Sequence, residues 1–393
     1  MFSSRFHWDP SPNRLTRLLA EKRRAGAPVL DLTESNPTHA DLLYPEEIVA
    51  ALADPRALRY DPQPAGSPAA REAVCRYYAE AGCQVEPEQI LLTASTSEAY
   101  AYIFKLLADP GDEVLVPRPS YPLFEFLASM ESLRVVSYPL VYHGGWSIDC
   151  HALAAAVTPR TRAIVLVNPN NPTGSFLKRE ELRFLQSLGL PLISDEVFAD
   201  YAFSADPQRV PTLAAAHETL AFSMSGLSKI AGLPQMKLGW IVVSGPPSVR
   251  DEARDKLEWI ADTYLSVAAP VQQAAPRLLE LGKGIQEQIA ARTRANLAWL
   301  SAAIPADSPC QTLALEGGWY ATLQVPRIRR EEEWVLELLD KDNVLVQPGF
   351  FYDFESEAFL VLSLLTPPET FQEGCRRILA RADNSIANSE VVR

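Results

Sequence analysis

Between residues 90 and 243, short runs of aliphatic and β-branched residues alternate with stretches whose apolar positions recur every three or four residues. The runs at 90–93, 113–116, 163–167, 190–194 and 220–223 predict buried strands, and the stretches between them predict helices, among them 67–80, with Ala70, Val74, Tyr77 and Tyr78 on one face, and 98–108. Strand and helix in alternation imply an α/β fold, a mostly parallel sheet flanked by helices. From 248 to 304 the pattern is helical, including a connecting helix. Beyond it, strand-like runs at 320–324, 344–347 and 359–363 with helices near 331–341 and 368–381 predict a smaller α+β domain. The expected division is an N-terminal arm with part of the small domain at 1–45, a large domain at 46–285 and a small C-terminal domain at 286–393. No internal repeat or low-complexity segment interrupts this pattern.

A chain of 393 residues, 47% of them hydrophobic, buries a large core and divides into two packed domains. The net charge of −13 argues against nucleic-acid and anionic-membrane partners. The basic run of Arg14, Arg17, Lys22, Arg23 and Arg24 is expected to be a solvated helix face. Five cysteines lie without metal-ligand spacing, so neither a zinc site nor a disulfide framework is expected. No apolar run approaches a membrane span of about 18 residues, and the N-terminus lacks an apolar leader core, which together predict a soluble cytoplasmic protein.

The chemistry concentrates in 223–240, SMSGLSKIAGLPQMKLGW, where Lys229 stands among small and hydroxyl residues. A lysine amine becomes nucleophilic toward carbonyls when desolvation lowers its pKa. Ser225, Gly226 and Ser228 offer hydroxyls and close-approaching N–H groups, and Lys237 adds positive charge. Upstream, Ser95 and Glu98 have capping-box spacing after a strand, so Ser95, Thr96 and Ser97 open a helix whose end suits a phosphate. Tyr121 is bracketed by Pro119 and Pro122, which suits a stacking ring. The string Asn168-Pro169-Asn170-Asn171-Pro172-Thr173-Gly174 and Asp195 both follow strands, at the edge where open α/β sheets bind ligands. There is no G-x-G-x-x-G and no Walker A string, so nicotinamide and triphosphate cofactors lack their fingerprints.

These motifs closely resemble those of the class I/II aminotransferases, pyridoxal-phosphate (PLP) enzymes of fold type I, and the resemblance extends over most of the chain. It implies that PLP is bound through its aldehyde by Lys229. Asn171 then bonds the phenolic oxygen, Asp195 partners the pyridine nitrogen and Tyr121 stacks on the ring. Ser95, Thr96, Ser97, Ser225 and Lys237 hold the phosphate, and the loop around Ser35 passes over the substrate. Tyr60, in the segment running through Asp61-Pro62 and Gly66 to Arg71, would reach the phosphate of a neighbouring subunit, which implies a homodimer with a shared active site. The implied activity moves an amino group between an amine or amino-acid donor and a 2-oxo acid. The alternatives are a PLP-dependent β-eliminating lyase and a non-catalytic PLP-binding protein.

Four positions depart from the family pattern. Phe198 replaces a tyrosine, with Tyr201 the expected substitute donor, Lys237 replaces an arginine and Gly226 stands where serine is frequent. In Leu360-Val361-Leu362-Ser363, Val361 occupies the place of the arginine that clamps the substrate carboxylate. Three explanations stay open: another cation such as Arg118, a carboxylate held by Asn171 and backbone near Ser35, or a substrate with no carboxylate there. Poor activity with aspartate and glutamate is expected.

Overall fold

The computed structural model describes residues 2–6, 8–9 and 11–391, with backbone alone for 387–391. Eight strands form the central sheet, in the spatial order Ile90–Thr93, Gly239–Ser244, Ala221–Gly226, Leu192–Asp195, Thr161–Val167, Glu113–Arg118, Arg134–Tyr142, Trp146–Ile148. From Ala221–Gly226 to Arg134–Tyr142 neighbours run parallel; Gly239–Ser244 and Trp146–Ile148 run antiparallel to theirs. The interior strands Glu113–Arg118, Thr161–Val167, Leu192–Asp195 and Ala221–Gly226 match runs expected from the sequence, whereas Gly239–Ser244 was not among them. The strand Arg134–Tyr142, next to the edge strand Trp146–Ile148, buries only Tyr138 and so shows no continuous apolar run.

Helices cover both faces, as expected for a parallel sheet. On one, Thr96–Leu107 and Pro247–Tyr264 pack Tyr100, Phe104 and Leu257 against Phe222, Met224 and Ile241. On the other, Pro68–Glu80 and Ala269–Ala303 close over Val242 and Trp240 with Val74, Tyr78 and Leu278. The helix Ala269–Ala303 runs 35 residues, and its far end, at Leu300, enters a second core. Residues 285 and 286, where the sequence suggested a domain division, fall inside this helix.

The second core lies under a four-stranded antiparallel sheet ordered Gln311–Thr312, Tyr320–Gln324, Phe359–Ser363, Gln347–Pro348. The helices Arg14–Arg24, Glu331–Asp342 and Pro368–Val391 accompany it. Leu30–Asp31 pairs in parallel with Val344–Leu345, which carries the following segment, 32–39, toward the carboxyl edge of the large sheet. Among the described residues, no helix is long and apolar enough to cross a membrane, and no group of His, Cys, Asp and Glu could hold a metal.

Candidate active site

Parallel strands that end together place their following residues along one edge. Asp195 is the last residue of Leu192–Asp195, and Lys229 lies on the short helix Leu227–Ile230 that follows the neighbouring strand. The Asp195 carboxylate accepts from the Tyr100 hydroxyl and the Val197 N–H, each at 3.3 Å. Burial outweighs these bonds and the nearby Lys229 charge, raising the carboxyl to about 6. Burial also lowers the Lys229 amine to about 8, against the pull of Asp195 and Glu34. A minor fraction, roughly a tenth at pH 7, is therefore unprotonated, far more than for an ordinary lysine, and a nucleophilic lysine requires that form. The amine donates to the Ser35 carbonyl at 3.4 Å and lies 4.7 Å from the Trp319 ring and 5.6 Å from that of Phe198.

Tyr121 is 46% exposed, and burial, with the charge of Asp195 adding to it, raises its hydroxyl pKa. Within the asparagine string, two amides serve the loop itself. Asn168 donates to Val210 and accepts from Leu177, while Asn170 bonds Ser120, Pro119 and Thr173. Asn171 is buried and its Oδ1 has no partner. A buried amide oxygen left unpaired is costly, which marks Asn171 as the one awaiting a ligand or water.

At the predicted phosphate end, Ser95 caps Thr96–Leu107 by accepting from Glu98 N at 3.2 Å, and Glu98 reaches back to Ala94 N at 2.6 Å. The leading N–H groups of Thr96 and Ser97 have no carbonyl behind them in the helix and so favour an anion. Lys237 is exposed in the left-handed region, φ 51°, two residues before Gly239, whose backbone lies against Ser95. Ser225 corrects the sequence reading. Along its strand, Phe222 and Met224 face the helix Thr96–Leu107, whereas Ser223 and Ser225 face the opposite side. Ser223 donates to Glu196 at 3.2 Å, and the Ser225 hydroxyl is buried and unpartnered in the cavity lined by Glu196, Tyr78 and Thr212. Strand alternation thus turns its side chain away from Ser95, Thr96 and Ser97.

Gly226 has a packing reason. A Cβ there would meet the Leu238 carbonyl oxygen at 2.8 Å and Gly239 Cα at 2.9 Å, both backbone. Gly226→Ser is therefore expected to lower stability by about 1–3 kcal/mol without tightening the phosphate site, measurable as a reduced denaturation midpoint in the cofactor-free chain. An unchanged midpoint would show that the two strands move apart freely.

Tyr201 also departs from expectation. Its hydroxyl donates to the Lys229 backbone carbonyl at 2.6 Å, and its ring meets Trp319 edge-on at 5.2 Å. That donor supports the lysine loop and is not available to replace the hydroxyl missing at Phe198. Tyr60 is 85% exposed in a surface cavity with Arg59, Gln63, Tyr102 and Ser266, so the fold does not bring it to Lys229 of its own chain. Val361 is 1% exposed and packs in the core that holds Phe198, Trp319 and Tyr320.

Tyr100, Trp319, Tyr320 and Glu34 escaped the sequence reading. Tyr100 looks like any helical core aromatic until the fold sets it beside Asp195. Trp319 carries a usable signal, the preceding Gly317-Gly318. A Cβ on Gly317 would meet the Tyr201 carbonyl oxygen at 2.7 Å, and Gly318 sits at φ +88°, so the glycine pair marks a close backbone approach.

The residues present fit a phosphorylated aldehyde cofactor such as PLP. They supply a buried low-pKa amine, a buried carboxylate that can pair with a cation, and a helix N-terminus with leading N–H groups for a phosphate. Comparisons with known proteins agree. The glutamate-pyruvate aminotransferase of Escherichia coli K12 is 29% identical over 345 residues, covering 84% of both chains. Nicotianamine aminotransferase 1 of Oryza sativa subsp. japonica is 31% identical over 274 residues, 65% of this chain and 54% of that protein. The chain thus spans about half the length of that relative. Among solved structures, alanine aminotransferase from Pyrococcus furiosus superposes with a TM-score of 0.85 at 25% identity, covering 98% of this chain and 100% of that one. An aspartate aminotransferase mutant from Thermus thermophilus superposes with a TM-score of 0.82 at 25% identity, covering 97% and 99%. The model of the family described as aminotransferase class I and II matches residues 27–378, and this chain belongs to that family.

Proposed function

We propose that the chain is a PLP-dependent aminotransferase that moves an amino group between an amino donor and a 2-oxo acid. The observation that carries this reading is the buried Lys229 amine, lowered to about 8 and set between Asp195 and the Trp319 ring. When bound, PLP supplies an aldehyde that condenses with amines and a ring that takes up the electron pair released at the donor carbon. Lys229 would bind that aldehyde and, with its amine free, would carry the proton away from the donor carbon. Asp195 holds a proton on the ring nitrogen. Tyr121 orients the ring from one face, and Asn171 bonds its oxygen substituent. The N–H groups and hydroxyls of Ser95, Thr96 and Ser97 hold the phosphate, with Lys237 as counter-charge. A single-turnover experiment tests the reading: an amino donor should convert the loaded protein to the pyridoxamine form, whereas release of pyruvate, ammonia and sulfide from cysteine would mark a lyase.

A cytoplasmic homodimer with a shared site completes the proposal. Leu58 is 90% exposed beside Tyr60, and Leu43, Val49 and Trp259 are each at least 70% exposed, apolar surface that a second copy would cover. Sedimentation of a monomer at working concentration would refute it.

Lys237 gives a point charge in place of the fork an arginine would offer. Lys237→Ala is expected to weaken PLP retention by about 3–10-fold, the worth of one exposed to part-buried charge contact. Equilibrium dialysis at low and high salt checks this, since the loss should shrink as salt screens the charge. Equal retention in both proteins would remove Lys237 from the phosphate site.

A further inference from the structure

A second cavity lies behind the strands that deliver Asp195 and Lys229. Its volume is about 590 Å³, within the roughly 300–1,000 Å³ of small-molecule sites. Its walls come from the end of the helix Pro68–Glu80, the start of the helix Arg179–Ser187 and the segment 196–216. Lys229, Asp195, Tyr121 and Asn171 are not among them, so this is not the site described above.

Four charged side chains line the cavity, sorted by sign and depth. Glu196 is 2% exposed and Asp200 is partly buried, whereas Arg179 and Arg183, one helical turn apart, are exposed. Glu196 accepts from the Leu213 N–H at 2.8 Å, the Ser223 hydroxyl at 3.2 Å and the Thr212 hydroxyl at 2.6 Å. Each of these donors is neutral, and burial raises the carboxyl to about 7. Asp200 takes the Tyr77 hydroxyl at 3.0 Å and the Gln286 amide at 2.7 Å, both on Oδ2, which leaves Oδ1 able to accept. The Ser225 hydroxyl, 1% exposed and unpartnered, opens onto the same space. Buried hydroxyls ordinarily find a partner, so this one points to a polar occupant. Tyr78, also in the wall, accepts from Trp240 Nε1 at 3.2 Å and has its own hydrogen to give. At the exposed end, Arg179 donates to the Pro207 carbonyl at 2.9 Å and Arg183 to the Arg179 carbonyl at 3.4 Å. Both bonds use Nε, and the terminal guanidinium nitrogens remain for a carboxylate.

We propose that this cavity is a second small-molecule site, and that its ligand is a zwitterion whose ammonium group pairs with Glu196 and Asp200 and whose carboxylate meets Arg179 and Arg183. A carboxylate at the inner end would meet two acids, and an ammonium at the outer end two guanidiniums. A molecule with one charge leaves one end unmatched. The site goes beyond the aminotransferase reading and does not depend on it.

The test is calorimetric titration with 4-(dimethylamino)butyrate and its six-carbon homologue, tertiary amines that cannot condense with an aldehyde, against butyrate and N,N-dimethylbutylamine. The better zwitterion should bind about 10–100-fold more tightly than butyrate, the worth of a charge-assisted contact. Its advantage over N,N-dimethylbutylamine should be about 3–10-fold, since exposed arginines contribute less. Asp200→Asn and Glu196→Gln should each weaken it by about tenfold or more, and Arg183→Ala by about 2–5-fold. Arg183 is exposed, so its variant tests the site even where a buried substitution fails to fold. Loading with PLP should change the affinity by less than about twofold. Butyrate binding as tightly as the zwitterions, no saturable binding by either zwitterion, or an affinity indifferent to Asp200→Asn and Arg183→Ala would overturn the proposal. Loss of binding on PLP loading would also overturn it, by placing the ligand beside Lys229. Each of these results leaves the aminotransferase reading standing.

Discussion

Lys229→Ala is expected to reduce turnover by about 10²–10⁴-fold or more, since one side chain serves as both cofactor anchor and proton carrier. The prediction is specific to this lysine. Burial lowers its amine to about 8, whereas Lys237, eight residues on, is exposed. Removing Lys229 should leave the fold intact: Tyr201 bonds its backbone carbonyl, and that bond survives truncation of the side chain. The cofactor-free variant should also lose no stability near neutral pH, because a desolvated amine leaves with the side chain. Borohydride treatment of the loaded native protein followed by peptide mapping should place the pyridoxyl group on Lys229. Label on another lysine, or appreciable turnover by the alanine variant, would remove the central assignment.

What could be read from sequence follows a physical division. Strands such as Thr161–Val167 and Leu192–Asp195 are buried on both faces, so their composition alone declares them, and the residues at their ends inherit the sheet's ligand-binding edge. The places of Asp195, Lys229 and Asn171 near that edge could be read for that reason. Side-chain direction within a strand was harder: Ser225 lies in the right loop yet faces Glu196 because residues alternate sides, and a one-residue displacement separates it from Gly226. Competing hydrogen bonds were invisible too. Nothing in the local sequence shows that the Tyr201 hydroxyl is committed to the Lys229 carbonyl. Least legible was Tyr100, an ordinary helical core aromatic until the fold sets its hydroxyl 3.3 Å from the Asp195 carboxylate.

Asp195→Asn is expected to reduce turnover by about 10²–10⁴-fold, a loss comparable to removal of a positioned acid–base group, while making the cofactor-free chain more stable at pH 8. Burial raises the Asp195 carboxyl from 3.8 to about 6. The folded state therefore holds this proton more tightly than the unfolded state. Its stabilising contribution is fully present below pH 3.8, declines as pH rises, and is lost once pH passes about 6. The gap corresponds to about 2–3 kcal/mol at pH 8, which asparagine does not forfeit because it never ionises. Lys229 titrates in a different window. Its amine is depressed from 10.5 to about 8, so its unfavourable contribution is relieved as pH rises from 8 toward 10.5. Removing the Asp195 charge also removes one of the two attractions holding the Lys229 proton, which should push that amine still lower. Calorimetric denaturation across pH 4–9 should show native and variant converging near pH 4 and separating above pH 6, with the variant higher. PLP should stabilise the native protein more than the variant, because only Asp195 can pair with a protonated ring nitrogen. A variant less stable than the native chain at pH 8 without cofactor would mean that the bonds from Tyr100 and Val197 outweigh the cost of burying the carboxylate.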